Sequence, residues 1–162
     1  MKNAMLISLA IVPALVVAVG APMAGTTAYV ANSGADEVLQ ILDDSDALTA
    51  IPVGETPYGI TATPDGRHVL VTQRDAGTVA FIDTSDLSGA AQTLPVGNSP
   101  RGVAVDPEGI YAYVANLDDD TVSQIDIAGR SIVDTIDVGD EPWGVAARYD
   151  AENETPVGDV TN

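Results

Sequence analysis

Cysteine is absent from all 162 residues, which excludes disulfides and thiolate metal sites together. The lone lysine is Lys2 and the lone histidine is His68. A single histidine cannot build an imidazole metal site, and no serine in a nucleophile-elbow motif stands near it to form a hydrolytic pair. Haem attachment through Cys-x-x-Cys-His is excluded as well, and no cofactor or metal is expected. Aromatic residues make up only 4% of the chain, so packing must rest on Val, Ile, Leu and Ala. Positive charge is equally scarce, with six Lys and Arg against 24 Asp and Glu and a formal net charge of -18. Such a field repels nucleic acid and anionic lipid and favours solubility, particularly where salt screens it. Beyond the first two dozen residues no stretch sustains a 3.6-residue apolar period, so no helix is expected.

One long apolar run is present. Lys2 precedes Ala4 to Val19, which carries no charge and is interrupted only by Ser8 among polar residues. Small residues follow at Ala18, Gly20, Ala21 and Ala24. This order predicts a secretory signal peptide over residues 1–24, cleaved between Gly20 and Ala24. The rival is an uncleaved anchor, since about 18 apolar residues begin to span a bilayer; Pro13 and the small-residue end favour cleavage. The expected address is therefore secreted, periplasmic or cell surface.

Past the leader the chain repeats itself. "VGETPYGITATPDG" from Val53, "VGNSPRGVAVDPEG" from Val96 and "VGDEPWGVAARYDA" from Val138 share Val-Gly, then Pro, one variable residue and Gly. Their Val-Gly glycines, Gly54, Gly97 and Gly139, lie 43 and 42 residues apart. Between them run short β-branched segments punctuated by Gly, Pro, Asp and Asn, which is strand-and-turn chemistry. "AYVAN", "HVLVTQ" and "YAYVAN" hold matching places; a second set follows in "EVLQILD", "TVAFID" and "TVSQID"; a third leads into each Val-Gly. With the run after each Pro-x-Gly, this makes four strands per repeat and twelve in all. Four strands at a period of about 40 to 50 residues is the arithmetic of a propeller blade. The expected fold is all-β, a propeller of four-stranded antiparallel blades with three blades' worth of strands.

"YVAN" at Tyr29 and Tyr113, "TV-x-x-ID" from Thr78 and Thr121, Val-Gly-x-x-Pro-x-Gly and "PDG" at Pro64 together resemble the YVTN-type β-propeller repeat. The resemblance covers roughly Ala28 to Ala147. It gives a domain division of signal peptide over 1–24, repeats over 25–148 and a polar tail over 149–162. Some proteins with this architecture are lactonases or quinone- or haem-linked oxidoreductases, so the resemblance also admits a lactonase-like or quinoprotein-like enzyme. That alternative rests on fold analogy alone.

The internal repeats separate scaffold from the residues free to vary. Glycine beside Pro allows the close backbone approach that inner strands need, and Gly66 and Gly109 should take positive φ in the "PDG" and "PEG" turns. Recurring Asp43, Asp83 and Asp126 should cap the turn that follows them through bonds to backbone N–H groups. Asp118-Asp119-Asp120 and Asp43-Asp44-Ser45-Asp46 lack the alternating ligands and glycine of a calcium loop. Within the constant Pro-x-Gly frame only the middle residue changes, to Tyr58, Arg101 and Trp143. These entry loops should share one face with the loops "SGAD", "RDAG" and "LDDD", so the three side chains should ring the mouth of the central channel. Two aromatics and an arginine there are suited to a small molecule or a protein segment; the plainer alternative is a plug. The expected function is a non-catalytic extracytoplasmic binding or scaffold module.

The ends raise one more expectation. Ala28 begins a second-position strand and Gly144 a lone first-position strand, so the termini are complementary. Two chains could close a ring head to tail, as a homodimer with the Gly144 strand of each beside the Ala28 strand of the other. A fragment of a longer propeller is the competing reading.

Overall fold

In the computed structural model, residues 16–21, 24–42, 48–149 and 157–161 are described. The apolar runs form strands as their composition demands, and consecutive strands pair antiparallel through short turns. The first sheet is β1 (Val16–Ala21), β2 (Ala24–Asn32), β3 (Glu37–Leu42) and β4 (Leu48–Pro52). The second holds β5 (Pro57–Ala62), β6 (His68–Gln73), β7 (Thr78–Asp83) and β8 (Gln92–Pro95). The third holds β9 (Pro100–Val105), β10 (Tyr111–Asn116), β11 (Thr121–Asp126) and β12 (Ser131–Asp137). A two-stranded sheet of β13 (Gly144–Arg148) and β14 (Val157–Thr161) follows. Strands of each sheet run in chain order, which is the meander of a propeller blade. Among the described residues the one helical element is a 3-10 turn at Leu117–Asp119, and no helix there is long and apolar enough to cross a membrane.

Packing explains why the middle strands read as unbroken apolar runs. Val69, Val71, Ala80 and Ile82 face the first sheet, while Leu70, Val79 and Phe81 face the third. Strand side chains alternate between faces, so a blade clamped on both faces is apolar on both, with buried Thr72 and Gln73 at the end of β6 the polar exceptions. Each such side chain contributes about 1.5–3 kcal/mol by its burial. At the outer strands the constraint lapses: every residue of β12 is exposed.

The turns behave as their residues predict. Gly66 and Gly109 have φ of 70° and 72°. Asp83 Oδ1 accepts from the Ser85 amide at 2.8 Å, and Asp126 Oδ1 from the Ala128 amide at 3.2 Å. Asp43, with Asp44, Ser45 and Asp46, lies outside the described residues.

Two features differ from the sequence expectation. The first-position place beside β2 is filled by Val16–Ala21, paired through Val16 opposite Val30 and Ala18 opposite Ala28. Likewise β13 pairs with Val157–Thr161 of its own chain, Gly144 opposite Thr161, so the stretch 149–162 is not merely a polar tail. There are thus fourteen strands among the described residues, not twelve. An intrachain hairpin with a short loop closes at little entropic cost.

Candidate functional site

Each Pro-x-Gly brings its middle residue to the start of an innermost strand. Tyr58 stands on β5, Arg101 on β9, and Trp143 immediately before β13. The glycines set how closely these strands approach. A Cβ on Gly59 would lie 2.1 Å from the Arg101 carbonyl oxygen, and one on Gly102 would lie 2.9 Å from the Trp143 carbonyl oxygen. The Gly102 amide donates to that Trp143 oxygen at 3.0 Å. Between the second and third blades, fully buried Thr72 does the joining. Its Oγ1 accepts from the Gly59 amide at 2.7 Å and donates to the Arg101 carbonyl at 2.7 Å.

On this frame the three varying side chains converge. The Arg101 guanidinium carbon sits 4.5 Å from the Tyr58 ring centroid and 4.7 Å from that of Trp143. The two rings meet edge to face, 5.7 Å apart at 67°. Ring faces carry negative potential, so each attracts the cation by about 0.5–2 kcal/mol depending on how dry the contact is. Arg101 Nε is buried with no hydrogen-bond partner, and Trp143 remains 50% exposed.

The loops between second and third strands stand on the same face, as the meander requires. The Arg74 amide donates to the Thr56 carbonyl at 3.0 Å and the Leu117 amide to that of Ser99 at 3.2 Å. Between Arg74, Asp75, Asn98, Ser99 and Asp118 opens a recess of about 490 Å³. Asp75 accepts from Arg74 Nε at 2.7 Å and Nη2 at 3.1 Å, and from Thr56 Oγ1 at 2.6 Å. The bonds from Arg74, then from Thr56, hold its carboxyl down at about 2. A lowered value means that the charged form is favoured, so the Arg74–Asp75 pair persists as pH falls until it is lost near that value. The Asp75 carboxyl should therefore titrate near pH 2 by NMR and return toward 3.8 in Arg74→Gln; an unmoved midpoint in that variant would discount the pair.

The acidic loop has a structural occupation. Asp119 accepts from the Asn98 amide at 2.7 Å and from Asn98 Nδ2 at 2.8 Å; Asp118 accepts from the Ser99 hydroxyl. Asp120, at φ 55°, accepts from the Glu141 amide at 2.9 Å. Among the described residues no three His, Cys, Asp or Glu side chains are grouped to hold a metal. His68 lies at the other end of β6, where its backbone exchanges bonds with Thr63, and with Arg67 and Arg130 it lines a recess of about 340 Å³.

Other residues of this face escape a reading of the sequence. Buried Asn116 accepts from the Gly97 amide at 3.1 Å and donates to Ser123 Oγ at 2.9 Å; Gln73, its counterpart one blade earlier, reaches the Val53 carbonyl. The recurrence of Asn32 and Asn116 at the end of "YVAN" was the available signal. Asn116 and Gln73 each pin the Val-Gly connection that enters their own blade, whereas Asn32 donates to Glu37.

Comparison with known proteins accords with this geometry. A family model for the YNCE-like beta-propeller matches residues 27–153, and the chain belongs to that family. Among solved structures it is similar to hydrazine synthase from Kuenenia stuttgartiensis, at TM-score 0.70 and 20% identity, over 84% of this chain and 42% of that one. It is also similar to virginiamycin B lyase from Staphylococcus aureus, at TM-score 0.63 and 12% identity, over 82% and 51%. A functionally unknown protein from Desulfotomaculum acetoxidans aligns at TM-score 0.58 and 22% identity, over 67% and 38%. The chain thus spans about two fifths to a half of these structures, and at such identities the likeness is one of fold. No curated protein sequence matches the chain.

Proposed function

We propose that this chain is an extracytoplasmic, non-catalytic binding module whose ligand or partner sits on the face carrying Tyr58, Arg101 and Trp143. The observation that carries this reading is the convergence of the three residues that alone vary within the Pro-x-Gly frame. A scaffold needs only Pro and Gly at those places; a shared stack of two aromatics and an arginine adds a half-exposed recognition surface. The extracytoplasmic address is supported by the order of Lys2, the apolar run and the small residues of 1–24; cleavage there removes β1 and leaves the edge of β2 open in the exported protein. Mass spectrometry of the exported protein should find an N-terminus between Ala21 and Thr27, and a species retaining Lys2 in the membrane fraction would contradict that address.

The binding test is a thermal-shift screen of small acids, lactones, sugars, divalent cations and peptides, repeated on the variant Tyr58→Ser, Arg101→Ser, Trp143→Ser. Any compound that stabilises the parent should have no effect on the triple variant. Its own melting temperature should stay within a few degrees of the parent, because the strands are held from backbone and Thr72. A compound that shifts both proteins equally would move the site elsewhere.

A further inference from the structure

The charge at this mouth is incompletely answered, and that points to a ligand class. Of the arginines around it, Arg74 is committed to Asp75 through two bonds. Arg101 makes no hydrogen-bonded ion pair among the described residues, and Asp75 feels its charge only at a distance; its direct neighbours are two rings, and its buried Nε has no acceptor. With their centroids only 5.7 Å apart, the two rings bound the guanidinium from adjacent directions rather than from opposite faces, which leaves its far side and in-plane edge as the place for an acceptor. Because Nε is buried, an incoming anion would meet the outer guanidinium nitrogens and offset the charge of the group through them.

We propose that the mouth formed by Tyr58, Arg101 and Trp143 takes a small carboxylate with an apolar body, its two oxygens on the Arg101 guanidinium and its body against Trp143. This rests on the reading of that face as the binding site. The planar fork of guanidinium matches a carboxylate in geometry. One negative charge suits the site better than two. Arg101 is the one arginine there with no hydrogen-bonded carboxylate among the described residues, and Asp75 already feels its charge in a chain of net charge -18, so a second negative charge on the ligand gains repulsion and no partner. Trp143, half exposed and at 67° to Tyr58, supplies an apolar wall open to solvent.

Trp143 is the sole tryptophan, so its emission reports occupancy of this mouth without any label. The exported protein is titrated with 3-phenylpropanoate, with its neutral counterpart 3-phenylpropanamide and with inorganic phosphate, by fluorescence and calorimetry in parallel. The acid should give a saturable change in Trp143 emission and bind at least about tenfold tighter than the amide or phosphate. Arg101→Gln should lose that advantage. Because acid and amide are compared on the unaltered protein, the result does not depend on how any variant folds. Acid and amide binding equally, both with a response from Trp143, would overturn the carboxylate assignment and leave the face reading intact. Phosphate binding tightest would overturn it in favour of a dianion. Heat from the acid with silent Trp143 emission and no loss in Arg101→Gln would overturn the face reading itself. No heat from any probe would also overturn the carboxylate assignment, the triple serine variant then deciding the face separately.

Discussion

Gly59→Val should lower stability by about 3 kcal/mol or more and the melting temperature by about 10 °C. A side chain at Gly59 begins 2.1 Å from the Arg101 carbonyl oxygen and 3.0 Å from Thr72 Oγ1. The first of these is backbone of the neighbouring blade's innermost strand, which cannot swing aside as a surface side chain would. Relief requires parting the second and third blades at their closest approach, above the core that holds Leu70, Val103 and Val114. Gly102→Val should act in the same direction and more mildly, since its closest backbone atoms are 2.9 Å away. Thermal unfolding followed by circular dichroism is the check. A Gly59→Val protein melting within about 2 °C of the parent would mean that the blades are not packed this closely.

Thr72→Val should cost about 2–4 kcal/mol, although it changes neither shape nor volume appreciably. The hydroxyl serves two backbone groups at once, the Gly59 amide and the Arg101 carbonyl. Valine would leave both without that partner in a dry interface, at about 1–3 kcal/mol for each. Thr72→Ser keeps the hydroxyl and sheds only a methyl, so its loss should be about 1 kcal/mol. Urea denaturation of the pair separates the two causes, and equal stability would show that packing rather than hydrogen bonding matters there. Arg101 is held by its carbonyl at this point, so Thr72→Val should also loosen the guanidinium against its two rings.

Much of the fold was legible because propeller repeats are written in local chemistry. Glycine at positive φ in "PDG" and "PEG", the aspartates that cap the next turn, and apolar strands at fixed offsets all act within a few residues of one another. The repetition itself then told scaffold from variable positions, which is how Tyr58, Arg101 and Trp143 were singled out. The role of "YVAN" asparagine was not legible, because Asn116 bonds to Gly97, 19 residues away. Nor was the work of Asp118 and Asp119, whose partners Ser99 and Asn98 lie 19 and 21 residues back.

The sequence by itself determined the blade, its period, its turns and which side chains differ between blades, since each depends on residues adjacent along the strand or turn. Only the tertiary structure decided three further matters. Arg101 lies over both Tyr58 and Trp143 rather than pairing with an acid, because closest approach of the inner strands at Gly59 and Gly102 stacks residues more than 40 positions apart. Thr72 joins two blades through one hydroxyl. And the places beside β2 and β13 are taken by Val16–Ala21 and Val157–Thr161, because an unpaired strand edge accepts whichever segment of chain can reach it at least entropic cost.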